Sequence, residues 1–335
     1  MQCTLYIPYL IPLRELADTV WRALNVPQLK MLLARGEYVF NPETEAAALL
    51  CNIFGIARQQ DSPLAPMLAR NHGLAGGSGY WLCATPIHLE PRRNALVLAD
   101  PATLEITVAE SSALATTLAD HLRDENVTLH APQPGQWFLH SDVLPVMTTS
   151  SLDAVTGQDV RGFLPQGPDS LRWHRILTEI QMLLHAHPVN ETREISGRAA
   201  VNSVWLWAGG TLPPHSAAPY TIVWSNDDVA CALAHHTGGR IEPAPARIMP
   251  NTLNEGSHFF STQLLVAPMR QGNLQAWSAA VTAIDHDWFH PLLKALKTRR
   301  LNKLTIITSN DAGTHELTIR PRDLMKFWRQ NKYLQ

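Results

Sequence analysis

One segment of the chain combines the residue types that bind anionic ligands, and it reads "HPVNETREISGRAAVNSVWLWAGG". Its candidate ligand residues are Asn190, Arg193, Asn202, Gly209 and Gly210. Arginine offers a fork of donors that matches phosphate or carboxylate, and glycine lets a backbone approach a ligand closely. If "WLWAGG" is a strand of an open parallel sheet, its carboxyl end is where ligands bind. The segment therefore predicts a polar pocket wall, with capping, loop hydrogen bonds and a tight turn as the structural alternative.

Two other clusters contain residue types that could form sites. In "IDHDWFH", His286 and His290 lie four residues apart, but no Glu follows as in H-E-x-x-H, and Pro291 comes next. A zinc site is therefore not predicted. The run "KTRRLNK" at 297–303 is typical of a solvated helix end, whose cations suit the C-terminal dipole, and a basic recognition patch is the alternative.

The composition narrows the class of protein. The chain has 335 residues, 45% of them hydrophobic and 17% charged, with a formal net charge of −2. Such a chain builds a sizeable core, and it has no overall basic field to attract nucleic acid or an anionic membrane. Four widely spaced cysteines and no C-x-x-C pair argue against a disulfide framework or a cysteine zinc site. With no membrane-length apolar run and no signal-peptide pattern, we expect a cytoplasmic protein.

The order of elements predicts the fold class. Apolar runs such as "SVWLWA", "TQLLVAP" and "LTIITS" are predicted strands, and they alternate with helical patterns such as the region 274–298. This alternation is typical of an α/β fold with a buried, mostly parallel sheet flanked by helices. The glycine-rich stretch 71–80 and the polar stretch 148–170 are interpreted as linkers. We therefore expect an α/β core from 1–75 and 160–335, with a smaller α+β domain inserted at 76–159.

The segment "HPVNETREISGRAAVNSVWLWAGG" resembles archaeal-type cofactor-independent phosphoglycerate mutases, and weaker similarities run along the chain in the same order. They lie in "VPQLKMLLARG", "PETEAAALLCNIFGI", "GQDVRGFLPQGP" and "AIDHDWFHPLLKAL". The resemblance implies an alkaline-phosphatase-like core with an inserted domain. The strand "NSVWLWAGG" and the stretch "ATPIHLEPRRNALVL" are most similar to a divergent branch, the RpfE-type regulatory proteins.

That family uses two divalent metals and a Ser or Thr nucleophile for phosphoryl transfer. The resemblance puts Tyr9 at the position of an Asp ligand and Ser309–Asn310 at that of an Asp–His pair. Neutral Ser and Asn hold a divalent cation weakly. "LLVAPMRQGNLQAW" stands where the family has the ligand-rich "HVEAPDEAGH". Thr44 matches the nucleophile if a two-residue shift is allowed, and Ala46 does if not. We therefore expect a degenerate centre without bound metal.

Substrate-facing positions match better. Asn190 and Arg193 match the family directly, Asp159 matches the Asp of its "PHDI" motif, and His140 matches a His of the inserted domain. The first hypothesis is therefore a non-catalytic binding or regulatory protein for a small phosphorylated or carboxylate metabolite.

Two alternatives stay open. One is an active metal-dependent phosphomutase or phosphatase, with Thr44 as nucleophile and two Mn or Zn ions held by relocated ligands such as Asp227, Asp228 or Asp311. The other is a structural interaction module whose ten tryptophans form a protein-binding surface.

Overall fold

The computed structural model describes residues 1–11, 20, 24–42, 45–74, 78–249, 252–253 and 256–326. These residues form two compact units, one made of 1–55 with 215–335 and the other of 56–214. Numbered along the chain, the strands are β1 (Gln2–Tyr6), β2 (Glu37–Asn41), β3 (Tyr80–Ile87), β4 (Leu89–Arg92), β5 (Ala95–Leu98), β6 (Thr128–Gln133), β7 (Gln136–Ser141), β8 (Ser203–Gly210), β9 (Ile222–Trp224), β10 (Arg240–Glu242), β11 (Ser257–Ser261), β12 (Lys303–Asn310) and β13 (Gly313–Ile319).

The α-helices among the described residues are Pro27–Arg35, Ala46–Ile53, Leu64–Asn71, Val108–Asp124, Leu152–Val155, Ser170–His185, Pro188–Ile195, Asp228–Thr237, Val266–Arg270, Leu274–Ile284 and His290–Lys297. A π-helical turn joins the last two at Asp285–Phe289. Short 3-10 turns lie at Pro101–Leu104, Val160–Gly162 and Pro321–Met325. Within this part of the chain, none of the helices has the length and apolar character needed to cross a bilayer.

The first unit is built on a seven-stranded sheet with the order β10-β9-β11-β1-β12-β13-β2. The five neighbouring strands β10, β9, β11, β1 and β12 are parallel to one another, whereas β13 pairs antiparallel with both β12 and β2. Apolar strand residues such as Leu5, Phe260 and Leu304 share one core cluster with helix residues such as Leu29 and Trp277. This is the buried, mostly parallel sheet that the continuous apolar runs predict.

Local sequence sets the ends of the helices in this unit. Pro27 opens its helix at the position where a missing N–H costs nothing, and the Asp285 carboxylate accepts the Leu29 N–H at 2.6 Å. Asp227 caps the helix Asp228–Thr237 by accepting the Ala230 N–H at 2.9 Å, and Gly238 ends it with a left-handed φ of +79°. These contacts fix the helices that flank the carboxyl ends of the strands.

The second unit contains a four-stranded antiparallel sheet, β6-β7-β3-β8, and a β4-β5 hairpin. The helices Val108–Asp124 and Ser170–His185 pack on one face of the sheet, where Trp137 and Trp173 are fully buried. A capping box begins the first of these helices: Glu110 N–H donates to Thr107 Oγ1, and Thr107 N–H donates to the Glu110 carboxylate.

The domain boundaries that the sequence predicts differ from the division of the chain into units in the structure. The strand "SVWLWAGG" was expected in the parallel sheet, but β8 pairs antiparallel with β3, with Trp81 opposite Gly210. The helix Ser170–His185 packs against β8 in the same core, so it too lies in the second unit rather than in the expected core segment 160–335. The chain divides at 55/56 and 214/215, not at 75/76 and 159/160. An apolar run alone does not report which sheet will bury it.

The segment "TQLLVAP" was also expected to be a strand, and this is wrong. β11 ends at Ser261, and Val266–Arg270 is helical. The Leu265 side chain is nevertheless buried, although the residue lies in a turn and not in a strand.

Candidate functional site

The carboxyl ends of the parallel strands lie along one edge of the first unit's sheet. β1 ends at Tyr6, β11 at Ser261 and β12 at Asn310, and these strands are neighbours. In open α/β sheets ligands bind outside this edge. We name the polar side chains of Tyr6, Tyr9, Ser309, Asn310 and Asp311 the carboxyl-edge cluster.

Side chains of the carboxyl-edge cluster bond to one another across β1 and β12. The Tyr9 hydroxyl donates to Asp311 Oδ1 at 2.9 Å, and the Tyr6 hydroxyl lies 3.0 Å from Ser309 Oγ. The Asn310 amide donates to the carbonyl of Ile11 at 3.0 Å. The three positions that resemble metal-ligand positions, Tyr9, Ser309 and Asn310, are thus brought together as a network of mostly neutral groups.

The backbone of Tyr9 adopts an unusual conformation. Its φ is +57°, in the left-handed region that bulky residues rarely enter. Hydrogen bonds on both sides hold it there: Tyr9 N–H donates to the Ser309 carbonyl at 2.7 Å, and Trp277 Nε1 donates to the Tyr9 carbonyl at 2.9 Å. Non-glycine residues in this region are found where the surroundings over-determine the conformation, often at functional sites.

Burial, with a smaller contribution from the Asp311 carboxylate, raises the pKa of the Tyr9 phenol to about 12, while Arg270 acts in the opposite direction. The phenol is therefore neutral at physiological pH and donates its proton to Asp311. Arg270 lowers the pKa of the same phenol, so a guanidinium cation lies close to the cluster.

The neighbouring strand ends contribute further polar groups. Asp227 follows β9; one of its oxygens caps a helix and the other accepts Gln263 Nε2 at 3.1 Å. Asp228 lies in the first turn of that helix. At the end of β11 the buried Ser261 hydroxyl has no hydrogen-bond partner among the described residues. It is a polar group at the strand ends that a ligand could satisfy.

The described donors of the carboxyl-edge cluster are not the set that two divalent ions prefer. Mn²⁺ and Zn²⁺ prefer carboxylate and imidazole ligands, and two-metal centres need several of them. The cluster instead supplies phenols, a hydroxyl, an amide and one carboxylate that Tyr9 already occupies. In the described ranges, no group of three or more His, Cys, Asp or Glu residues is placed to hold a metal ion. Thr44, the proposed nucleophile, lies outside the described residues, and Ala46 is the first residue of a helix.

Asn190 and Arg193 lie in the second unit, and their contacts favour a structural role. Asn190 is 2% exposed, donates to the carbonyls of Leu184 and Val201 at 2.7 and 2.8 Å, and accepts the Val201 N–H at 2.8 Å. Arg193 is 1% exposed and donates to Glu110 at 2.9 Å.

The remaining donors of Arg193 are also bonded, to the carbonyls of Ala199 and Leu104. Together with those of Asn190, these bonds fasten the helix Pro188–Ile195 to the stretch that leads into β8. The polar groups of Asn190 and Arg193, which the sequence suggests for ligand binding, are therefore bonded to other parts of the protein.

Asn202 and the glycine pair likewise have structural partners. The Asn202 side chain pairs with the backbone of Leu89, accepting its N–H at 2.8 Å and donating to its carbonyl at 2.9 Å. A Cβ on Gly209 would lie 2.0 Å from the hydroxyl oxygen of Tyr80, and one on Gly210 would lie 2.5 Å from Pro63 Cβ. Both glycines are thus required by close packing around β8.

Asp159 and His140 lie apart from Asn190 in the fold. Asp159 bridges to Arg161 and accepts the Leu96 N–H at 3.3 Å. Hydrogen bonds from Arg161 lower the pKa of Asp159 to about 2. His140 is on β7, opposite Trp81, with Nε2 3.2 Å from the Ser78 carbonyl. The described contacts connect neither residue to Asn190 or Arg193.

Sequence reasoning missed Tyr6, Arg270 and Trp277 at the carboxyl edge. Arg270 carried a usable signal, because it introduces a cation in "APMRQG", the stretch that resembles the ligand-rich motif. Tyr6 and Trp277 carried none, since an aromatic residue in a strand or an amphipathic helix ordinarily packs in a core.

Comparisons with known proteins find relatives of similar sequence and solved structures of similar fold. No family model matches the chain. It is 25% identical over 217 residues to a probable 2,3-bisphosphoglycerate-independent phosphoglycerate mutase of Geobacter sulfurreducens, and 26% identical over 222 residues to such a mutase of Methanosarcina acetivorans. This chain is similar to cofactor-independent phosphoglycerate mutases. Each match covers 60% of the chain and 53% of the relative, so the chain spans about half the length of the curated relatives it matches.

Solved structures give the same result for the fold. The PH0037 protein of Pyrococcus horikoshii superposes with a TM-score of 0.56 at 14% identity, over 97% of this chain and 92% of that one. The cofactor-independent phosphoglycerate mutase of Thermoplasma acidophilum gives a TM-score of 0.48 at 15% identity, covering 96% and 90%. The similarity to the PH0037 protein confirms the α/β fold with a mostly parallel central sheet, and an additional antiparallel sheet accompanies it.

Proposed function

We propose that this protein binds a small phosphorylated or carboxylate metabolite at the carboxyl edge of its parallel sheet, without a two-metal centre. It would act as a binding or regulatory protein rather than as a phosphoglycerate mutase. The observation that carries the proposal is the Tyr9–Asp311 hydrogen bond, which joins two strand ends where the related enzymes would need metal ligands. The regulatory role that the RpfE-type resemblance implies, and a cytoplasmic location, belong to this proposal.

Arg270 supplies the charge for such binding. Its guanidinium lowers the pKa of the Tyr9 phenol, which places a cation close to the edge where ligands of this fold class bind. A guanidinium can contact phosphate or carboxylate oxygens through two parallel hydrogen bonds. The buried Ser261 hydroxyl, whose oxygen has no partner among the described residues, offers a further contact on the neighbouring strand.

The test is calorimetric titration with 3-phosphoglycerate, the substrate class named for the relatives, in the presence of a chelator. We expect saturable binding that the chelator does not change and that Arg270→Met weakens at least tenfold. Arg240→Met is the matched control, since Arg240 lies on the edge strand β10 and pairs with Glu242. Equal losses in both variants, or binding that appears only with Mn²⁺, would contradict the proposal.

An active metal-dependent phosphomutase or phosphatase is the second candidate, and the names of the curated relatives favour it. Of the relocated ligands suggested for it, Asp227, Asp228 and Asp311, the first is engaged by Gln263 and the last by Tyr9. Interconversion of 2- and 3-phosphoglycerate in the presence of Mn²⁺, abolished by Thr44→Ala and retained in Thr148→Ala, would establish this candidate in place of the first.

The interaction-module alternative receives less support from the described residues. Their tryptophans are buried or half-buried, as Trp137, Trp173 and Trp277 illustrate, so they form parts of cores rather than an exposed aromatic surface.

A further inference from the structure

A basic pocket lies in the first unit at the opposite edge of the sheet from the carboxyl-edge cluster. It is an open groove with a volume of about 720 Å³. Its cationic lining residues, which define the pocket, are Arg35, Lys297, Arg299, Arg320 and Arg322. They come from three separate elements: the end of helix Pro27–Arg35, the turn after helix His290–Lys297, and the 3-10 turn Pro321–Met325.

Carboxylates neutralise only part of this charge. Glu37 pairs with Arg320 at 3.4 Å from a half-exposed position. The Asp323 carboxylate is bound by Lys326 Nζ at 2.6 Å and by the backbone N–H of Arg320 at 2.8 Å. Within the described ranges, no ion pair is formed by Lys297, Arg299 or Arg322. A concentrated positive charge therefore stands out on a chain whose net charge is −2.

Arg299 occupies a backbone position where glycine is the usual residue. Its φ is +57°, and the Arg300 N–H donates to the Ala295 carbonyl at 3.0 Å, which closes the end of helix His290–Lys297. This left-handed position after a helix is usually glycine because a side chain strains it. A glycine would adopt this conformation with less strain. The chain has an arginine here instead, and Arg299 lines the pocket.

A hydrogen bond holds one side of the pocket in place, and apolar side chains form part of its lining. Arg35 Nη1 donates to the Leu324 carbonyl at 2.6 Å, which holds the 3-10 turn against the helix. Leu296, Leu324 and the well-exposed Met325 line the cavity between the cations. A ligand with both anionic groups and an apolar portion matches this lining.

We propose that the basic pocket binds a multiply charged organic phosphate. Arginine forks match phosphate oxygens bidentately, and several cations from separate elements can share one polyphosphate. β12 runs from Lys303, beside the pocket, to Asn310 in the carboxyl-edge cluster, a span of roughly 23 Å at the rise of a strand. The two sites are therefore separate, and either proposal can fail without the other.

The experiment is calorimetric titration of the full chain with ATP and with inorganic pyrophosphate, as soluble probes, at low ionic strength. We expect one ATP per chain, and at least tenfold weaker binding in Arg299→Gly and in Arg322→Gln. Arg299→Gly should not lower the melting temperature, because glycine relieves the left-handed conformation. Its loss of binding would then not be attributable to misfolding.

Arg93→Gly is the matched control, because Arg93 is an exposed arginine in the turn between β4 and β5 of the other unit. It removes the same charge and should leave the affinity within twofold. Equal weakening in Arg93→Gly and Arg299→Gly would overturn the proposal, because it would reveal general charge attraction.

A co-sedimentation arm distinguishes a soluble phosphate from a lipid headgroup. Vesicles of phosphatidylcholine with phosphatidylserine are compared with vesicles of phosphatidylcholine alone. Binding to ATP without sedimentation identifies a soluble ligand, whereas sedimentation lost in Arg299→Gly identifies a headgroup in the same pocket. Absence of both ATP binding and sedimentation would overturn the proposal.

Discussion

The polar cluster that the sequence suggests as a ligand site and the carboxyl-edge cluster are built differently. Asn190 and Arg193 are buried in the second unit, and main-chain groups and Glu110 satisfy their polar atoms. The carboxyl-edge cluster lies at strand ends of the first unit, partly exposed, with Tyr9 bonded to Asp311 across two strands. The segment that most resembles the mutases is therefore held by contacts within the protein, while the positions that differ from them lie at the edge where open α/β sheets generally bind ligands.

The comparison predicts that the buried cluster matters for stability. Replacing Arg193 by Met removes its bonds to Glu110, Leu104 and Ala199 and should reduce the free energy of unfolding by about 3–5 kcal/mol, the usual cost of breaking a buried pair. Urea denaturation measures this.

Arg198 provides a matched control for Arg193, because it contacts the same Glu110 at 2.8 Å from a position 40% exposed. Arg198→Met should cost about 1 kcal/mol or less. If Arg193→Met unfolded at the same urea concentration as the wild type, its structural role would be wrong.

A second prediction concerns Asn190, which makes three hydrogen bonds in a buried setting. Asn190→Ala leaves the N–H and carbonyl of Val201 and the carbonyl of Leu184 without this partner, so we expect a loss of about 2–3 kcal/mol. 3-phosphoglycerate binding by the folded variant should be unchanged. A large loss of binding with unchanged stability would instead return Asn190 to a ligand-binding role.

The third prediction concerns the close packing of Gly209 against Tyr80. A Cβ at Gly209 would lie 2.0 Å from the Tyr80 hydroxyl oxygen, so Gly209→Ala should cost about 1–3 kcal/mol through overpacking. Tyr80→Phe removes that oxygen, which has no hydrogen-bond partner within the described part of the chain. The double variant should therefore recover part of the lost stability. No recovery would show that the clash is not what makes glycine necessary.

The smallest effect concerns the Tyr9 phenol and is confined to alkaline pH. Burial raises its pKa from 10.0 to about 12, so its neutral form is favoured in the folded state. This contribution to stability is fully present below pH 10 and is lost as the pH rises from about 10 to 12. Between pH 9 and pH 11 the unfolding free energy of the wild type should fall more steeply than that of Tyr9→Phe. Parallel declines would contradict a buried, Asp311-bonded phenol.

The sequence predicts the fold class well because continuous apolar strands and helix signals are local properties. "LTIITS" lies within β12, and the predicted helical region 274–298 forms two helices joined by a π-helical turn. The sequence prediction places β8 in the wrong sheet, because an apolar run is compatible with either sheet. Only the pairing with β3 shows which sheet contains β8. The domain boundaries are displaced for the same reason.

The candidate site could be predicted only in part. The replacements at Tyr9, Ser309 and Asn310 are readable from the resemblance. The bonds from Tyr6 to Ser309 and from Tyr9 to Asp311 are not, because they depend on the parallel pairing of β1 with β12. Arg193 illustrates the opposite difficulty. An arginine in a polar segment indicates a ligand as readily as an ion pair, and only its 1% exposure and its partners favour the second.

The most direct test of the proposed metal-free carboxyl edge is the number of metal ions per chain. The untagged protein is purified without chelator, equilibrated with excess Mn²⁺ or Zn²⁺, freed of unbound ion and analysed by elemental mass spectrometry. The account predicts well under one ion per chain, because the described donors at the strand ends are mostly neutral and their one carboxylate is bonded to Tyr9. Close to two ions per chain would contradict it and would favour the metal-dependent phosphomutase.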